Sequence, residues 1–552
     1  MKLNKKACLF ITLMTILSGC NINNSTSNSN GINSSQKPSP ISVEKPSNSI
    51  DYYESYKNNS KTEAKETRYA NFFAINDFHG AIEENEDEAG IVKIGAYLKA
   101  RKAQGDTVLL NSGDMWQGSI DSNYNRGKLL TDCMNEIEFD CFSIGNHEFD
   151  WDKKYINYNR ERSSSEGYKT PFLASNIYNF DINTKKTLDY ANYGDEFVVR
   201  LLNNGLKVGI IGGIGEDQIT SILSTNVDDL TFVDPVKIVK DLSDTLRIDY
   251  GADIVLLDIH ASQYDITNSD SDTGFYDNSG ITEVSRRTNK HYVDAVFCAH
   301  THQDEQGTIN GIPFIQTNGY GKQISNVRLA VKPNGDVSCE YANNLSASEV
   351  TDGYNDDTLT NIVKTYKAES DEVGKEILGN VSGGLWSSSS LPFFVAEAFG
   401  EYARQTGYEV DYAMTNNARY NVEDGVITYR DLYRALPFDN EVFVIRTTGS
   451  NLRKEINYGM KICRFDSAPL DDNKTYLIAV IDYLAVHRNK YRKYDYFNGF
   501  EMVGTLQKEG YELYNYRDIT ADHIRNYGKT IVYTNYTKYV NKFNTQKIDS
   551  YI

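Results

Sequence analysis

Between residues 69 and 345 short apolar runs recur, and almost every one leads into an aspartate, asparagine or histidine. The runs are residues 72–75, 108–110, 141–144, 208–211, 254–257 and 293–297. They are rich in β-branched and aromatic residues, bounded by Gly, Asn and Asp, and separated by helix-like segments. Such runs are expected to be buried strands of a layered α/β domain. After the first comes Asn76-Asp77-Phe78-His79, which places Asp77 and His79 two apart, on one face if the segment is extended. The next runs lead into Ser112-Gly113-Asp114 and Gly145-Asn146-His147-Glu148-Phe149-Asp150. The last two lead into Asp258-Ile259-His260 and Ala299-His300-Thr301-His302.

Taken singly, an Asp-x-His after a strand is more often a turn with a hydrogen-bonded imidazole than a metal site. The joint pattern reads otherwise. Of the eight histidines in the chain, five (His79, His147, His260, His300 and His302) sit at these strand ends. Ligands of open α/β sheets gather beyond the carboxyl ends of the strands. Converging, these loops bring together Asp77, Asp114, Asn146 and four or five histidines. That is too many groups for one tetrahedral ion, and it suits two ions sharing a bridge.

With those residues in place, the ordered blocks Asp77-x-His79, Gly113-Asp114, Gly145-Asn146-His147-Glu148, His260 and His300-x-His302 resemble the calcineurin-like metallophosphoesterases. The Asn-Asp-x-His-Gly start and Gly-Asn-His-Glu-Phe-Asp resemble, more narrowly, the bacterial 5′-nucleotidase branch. Asn176 after Leu173-Ala174-Ser175 and Gly319-Tyr320-Gly321 after the last histidines match as well. The resemblance implies a four-layer α/β/β/α sandwich over residues 69–345. It also implies that Asp77, His79 and His302 hold one divalent ion, that Asn146, His260 and His300 hold another, and that Asp114 bridges them. Ions so bridged lie roughly 3.5–4 Å apart, where they activate a water and neutralise phosphoryl oxygens. His147 is implied to stabilise the transition state or protonate the leaving oxygen, with Asp150 orienting its imidazole. Mixed Asp, Asn and His ligands suit Mn, Fe, Zn or Co. In one departure, Cys298-Ala299 precede His300 where the family has Gly-Gly. Cys298 is expected to be a small buried strand residue rather than a neighbour of the metals.

Residues 346–376 are polar and acidic with weak helical spacing and suit an interdomain helix. Residues 377–552 form a second, Tyr-rich α+β block resembling the C-terminal nucleotide-binding domain of bacterial and animal 5′-nucleotidases. Gly425-Val426-Ile427-Thr428, Leu436-Pro437-Phe438-Asp439-Asn440 and Thr448-Gly449-x-x-Leu452 carry that resemblance in order. It implies a substrate clamp of Arg419, which closes the family's Gly-Gly-x-Arg loop, and two base-stacking aromatics, Phe438 and, as the best remaining match, Phe500. Here Asn416-Asn417 replace the loop glycines, so side chains narrow the pocket. The Arg-containing segment expected near the domain start reads Ser387 to Ser390 followed by Leu391-Pro392. The Gly-Gly-Asp-Gly-aromatic block is replaced by His487 to Asn498. Ten tyrosines between residues 491 and 539 are expected to pack or face solvent from strands. Gly212-Gly213-Ile214-Gly215 lacks the third glycine of a dinucleotide loop and reads as a turn.

The N-terminus is a targeting segment. Lys2, Lys5 and Lys6 precede a short apolar core, and Leu17-Ser18-Gly19-Cys20 resembles the bacterial lipobox. Residues 1–19 are expected to be removed and Cys20 to carry lipid, holding the protein on the extracytoplasmic face of the cell membrane. Residues 20–68, rich in Ser, Asn, Lys and Glu, read as a flexible tether. Beyond Cys8 and Cys20 five cysteines remain, an odd number, so at least one thiol is free unless chains pair. The net charge of −19 argues against a polymeric nucleic-acid partner, but a local pair of cations can still hold a small anion. The expected activity is hydrolysis of phosphate esters or anhydrides, of nucleotides first. Cyclic nucleotides, sugar phosphates and other diesters stay open as alternatives, as does a non-catalytic binding lipoprotein.

Overall fold

Strand residues alternate between two interiors, and that alternation builds the layers. Phe72, Ala74, Val108 and Leu110 face one apolar cluster, while Phe73, Ile75 and Leu109 face another. In the computed structural model, residues 64–85, 87–263, 280–465, 470–488 and 497–532 are described. The signal segment, Cys20, most of the tether and tyrosines 491, 494, 496, 533, 536 and 539 lie outside them. All described residues fall within one compact unit.

The first six-stranded sheet runs in the order Val337–Ser346, Gln323–Val331, Arg68–Ile75, Thr107–Asn111, Cys141–Ser143, Phe172–Leu173. The second runs Glu305–Ile309, Ile312–Gln316, Ala295–Phe297, Ile254–His260, Lys207–Ile214, Phe197–Leu201. Their inner faces pack together through Phe72, Leu110, Leu173, Ile210, Leu256 and Phe297. Helices Gly90–Lys102 and Lys128–Ile137 cover the first sheet, and Pro235–Ile248 covers the second. The last starts by the local rules: the Asp234 carboxylate accepts the Val236 N–H and Pro235 occupies the first helical position. The four α/β/β/α layers are therefore present. The central strands of each sheet are parallel, so their carboxyl ends open on the same side.

One detail departs from expectation. Gly212, Gly213 and Ile214 are not a turn; they extend the strand Lys207–Ile214. A Cβ on Gly212 would overlap the Leu173 side chain and come within 2.8 Å of Ser143 Oγ, so the glycine allows the two sheets to approach. The helix Asp357–Gly374 lies within the segment 346–376. Its Leu359 is fully buried, and Ile362, Val363 and Tyr366 pack against the first block's core. Cys298 is buried among Val255, Leu257 and Ile259 beneath the second sheet, as a small core residue. Cys133, Cys141, Cys339 and Cys463 are free thiols.

The second block has a five-stranded sheet, in the order Lys461–Arg464, Tyr412–Thr415, Thr475–Ile481, Val442–Thr448, Glu501–Thr505. A three-stranded sheet joins Gly425–Thr428, Ile377–Ser382 and Ile531–Val532. Helices Ser390–Gln405 and Tyr516–Tyr527 complete its core, in which Tyr514 and Tyr516 are buried. Ser390, Leu391 and Pro392, standing where the family's Arg segment was expected, form the first turn of that first helix.

Candidate metal centre

Beyond the carboxyl ends of the strands the loops converge as expected, but by a different backbone route. Asp77 and His79 both have φ +49°, Asp114 has φ +53°, and His300 and His302 have φ +80° and +53°. Left-handed backbone is uncommon in non-glycine residues and concentrates where surrounding structure and function enforce it. The i, i+2 pairs thus share a site through tight turns, not through one face of an extended strand. Glycines make room for this. A Cβ on Gly113 would lie 2.7 Å from His260 Nδ1, and one on Gly145 would lie 2.9 Å from the same atom.

Two side-chain groups result, Asp77–His79–His302 and Asp114–His260–His300. In the first, His79 Nδ1 faces the Gln117 carbonyl at 2.9 Å and donates to it, which leaves Nε2 as an acceptor 3.1 Å from His302 Nε2. That His302 nitrogen is 3.2 Å from Asp77 Oδ1. In the second, His260 Nδ1 donates to the Ser112 carbonyl at 2.8 Å, and Nε2 then faces Asn146 Oδ1 at 3.0 Å and Asp114 Oδ2 at 3.1 Å. His300 Nδ1 meets the same Asn146 oxygen at 3.0 Å. Asp114 Oδ2 lies 3.8 Å from His79 Nε2, between the two groups. Acceptors facing acceptors in a buried site, with Asp77 Oδ1 lacking any hydrogen-bond partner, are a ligand set that cations satisfy. The residues fit divalent metal.

The buried carboxylates and histidines of the two groups shift one another strongly. Against the opposing effect of burial, Asp114 pushes His260 up to about 10. Burial and the neighbouring His260 hold His300 down to about 4. Burial and His302 hold His79 well below its usual value. Despite burial, Asp77 and Asp114 stay below the ordinary carboxylate range because histidines surround them.

His147 is set apart from both groups by its partners. Its Nδ1 donates to Asp150 Oδ2 at 2.7 Å. Burial alone would depress its pKa, but Asp150 and Asp114 raise it above the usual value. Its Nε2 lies 3.9 Å from Asp114 Oδ2, close enough that His79, Asp114 and His147 form a third possible ligand group. The second block meets this nitrogen directly. Arg419 Nη2 lies 3.3 Å from His147 Nε2, and the Phe438 ring is 5.6 Å from the imidazole with the Arg419 guanidinium over it at 5.1 Å. Phe500 is half-buried on the C-terminal core at the start of the strand Glu501–Thr505. Most of the segment expected to replace the family's Gly-rich block, 489–496, lies outside the described residues.

Three residues received no role from the sequence. The Glu148 carboxylate accepts the N–H groups of Asp114, Met115 and Gly145, at 3.0, 2.9 and 2.9 Å, and so ties together the loops that carry Asp114 and Asn146. Its adjacency to His147 was the available signal. Tyr320, at φ +55° between two left-handed glycines, stacks near His79 and His302 at 5.3 and 5.0 Å. Tyr483, raised in pKa by burial, sits in the electrostatic reach of Arg419 and Asp150. Nothing in its local sequence marked it.

Comparison with known proteins follows the same division. Residues 70–304 match the calcineurin-like phosphoesterase family, and residues 379–466 match the 5′-nucleotidase C-terminal domain. The endonuclease YhcR of Bacillus subtilis is 25% identical over 417 residues, 70% of this chain but only 32% of that protein. An apyrase of Tabanus yao is 24% identical over 439 residues, 70% of this chain and 73% of its own. Among solved structures, the 5′-nucleotidase precursor of Thermus thermophilus superposes with a TM-score of 0.67 at 14% identity, covering 84% of this chain and 99% of that one.

Proposed function

We propose that this chain is a metal-dependent phosphoesterase of the 5′-nucleotidase type and that it uses two divalent ions to hydrolyse the phosphate of small nucleotides. The observation that carries the substrate class is the contact of Arg419 and Phe438 with His147. A cation and an aromatic face from one block stand beside the acid–base group of the other. A phosphate bound at the histidine would have an arginine donor within reach and a ring on which a base can stack. The net charge of −19 disfavours a polynucleotide, although one relative is named an endonuclease.

Asp77, His79 and His302 would hold one ion and Asn146, His260 and His300 the other, with Asp114 shared. Bound there, the ions supply charge neutralisation for the phosphoryl oxygens and a water acidic enough to attack phosphorus. The remaining work belongs to side chains. Asp150 holds Nδ1–H of His147, so any further proton that the imidazole takes up goes to Nε2, from which the leaving oxygen could take it. Arg419 steadies the phosphate against that nitrogen, and Phe438 keeps the rest of the substrate in place.

Export and anchoring belong to the same proposal: lipid on Cys20 with residues 20–68 as the tether. Cys20→Ala should release the protein from the detergent phase with unchanged turnover, and persistence in that phase would refute the lipid site. The decisive experiment for the activity is a phosphate-release screen over nucleoside mono-, di- and triphosphates, cyclic nucleotides, sugar phosphates and diesters, with Mn, Zn, Fe and Co each added. Preference for nucleotides supports the reading. Preference for sugar phosphates or cyclic diesters overturns the substrate class, and no hydrolysis with any metal overturns the enzyme.

A further inference from the structure

We infer that Asp258, which ligates nothing itself, is a positioning residue that sets His260 and the Asp114 loop for metal from beneath the site. The inference rests on the reading of His260 as a metal ligand. Asp258 stands on the strand Ile254–His260, in the middle of the second sheet, and is fully buried. Its carboxylate reaches across to the first sheet. One oxygen accepts the Ser112 hydroxyl at 2.5 Å; the other accepts the Ser143 hydroxyl at 2.7 Å and the Cys141 thiol at 3.4 Å. All three donors are themselves buried. Ser112 carries the message onward, because its carbonyl accepts His260 Nδ1–H at 2.8 Å. That bond selects the tautomer whose Nε2 faces Asn146 and Asp114.

The geometry explains why a carboxylate stands there. Three donors from two strand ends converge on one point, and only an acceptor with several lone pairs satisfies them all. An apolar residue would orphan the Ser112 and Cys141 donors, while Ser143 keeps the Asp258 carbonyl, and each unsatisfied buried group costs on the order of 1–3 kcal/mol. Gly212, on the neighbouring strand, is the complementary feature. It is register-paired with Asp258, and a Cβ there would come within 2.8 Å of Ser143 Oγ. The sheets thus come close at this level, and Ser112 lies one glycine before Asp114. A hydrogen-bonded group behind a ligating histidine fixes ring orientation, and losing such a partner typically weakens metal binding about 10–100-fold.

The test measures metal and stability, not activity. Mn2+ is titrated calorimetrically into the metal-stripped full-length protein and its Asp258→Asn, Ser112→Ala and Ser143→Ala variants, with thermal unfolding recorded for each. In Asp258→Asn one binding step is expected to weaken about 10–100-fold, while the step assigned to Asp77, His79 and His302 is kept. Ser112→Ala loses its bond to the Asp258 carboxylate and Ser143→Ala loses its hydroxyl's contacts with the Asp258 carboxylate and carbonyl, so a fall in unfolding temperature is expected in both. Only Ser112 leads to His260, so Ser112→Ala should weaken Mn2+ binding more than Ser143→Ala does. Equal Mn2+ affinities in the two serine variants, whatever their stability, overturn the inference, and they keep it falsifiable if Asp258→Asn does not fold. Wild-type protein that binds no Mn2+ would instead defeat the metal reading of the site.

Discussion

Nδ1 of His147 is committed to Asp150, which leaves Nε2 as the nitrogen that faces both Arg419 and Asp114. His147→Ala should therefore keep its metals and lose about 10²–10⁴ in turnover, the span of a positioned acid–base group. Metal analysis beside single-turnover kinetics checks this; loss of metal would make His147 the ligand that its place beside His79 and Asp114 allows. Asp114→Ala should behave oppositely, lowering metal content and abolishing hydrolysis together, because its carboxylate lies between both groups. A different residue reports on pH. Burial, with Glu441 and Asp439 nearby, pushes the Asp482 carboxyl up to about 7. The folded state thus holds a proton that the unfolded chain releases near pH 4, so this group's contribution to stability falls as pH rises from about 4 to about 7. Asp482→Asn removes the dependence. Its stability relative to wild type should rise by on the order of 1–3 kcal/mol between pH 5 and pH 8, measured by urea unfolding; a flat difference would contradict the buried, protonated state.

Elements position these residues more by what they omit than by what they carry. The candidate ligands were legible as a group because five of eight histidines followed apolar runs, and strand content is a local property. The backbone at the ligands was not legible. Their left-handed turns depend on hydrogen bonds such as Asp77 N–H to the Gly113 carbonyl and Tyr320 N–H to the Asp77 carbonyl, between segments far apart in sequence. The same holds for Gly212. A Gly-Gly-Ile-Gly string reads locally as a turn, and only the facing sheet shows why it stays extended. Gly212→Ala should accordingly destabilise the protein by about 1–3 kcal/mol through overpacking. Gly307→Ala, on the strand Glu305–Ile309 with nothing within 4 Å of a new Cβ, should change stability by less than about 0.5 kcal/mol. Denaturant midpoints of the two variants decide it, and equal losses would mean the inter-sheet contact is not as tight as drawn.

At the scale of the molecule, the two blocks are joined by charge as well as by apolar surface. Arg430 bridges Asp121 of the first block and Asp371 of the long helix, and Arg126 and Arg517 both grip Asp439. Asn123 Nδ2 donates to the Pro437 carbonyl at 3.1 Å. These bonds hold the Leu436-to-Asn440 turn against the metallophosphoesterase block, which is how Phe438 comes to lie beside His147. The turn was legible as a motif. Its docking was not, because the partners Asp121, Asn123 and Arg126 sit in a stretch with no signal of its own. If this docking builds the base-reading wall, truncating the ring should cost binding of nucleotides alone. Phe438→Ala should raise KM for a nucleoside monophosphate about 10-fold or more, from about 1–3 kcal/mol of lost stacking. An aryl phosphate small enough to sit on the metals and His147 does not need the wall, so its KM should move little. The turnover number for the aryl substrate serves as the internal control, since Arg419 and the Arg517–Asp439 pair remain to hold the turn. Equal losses on both substrates would mean that Phe438 supports His147 and reads no base, and would direct the substrate search to sugar phosphates and cyclic diesters.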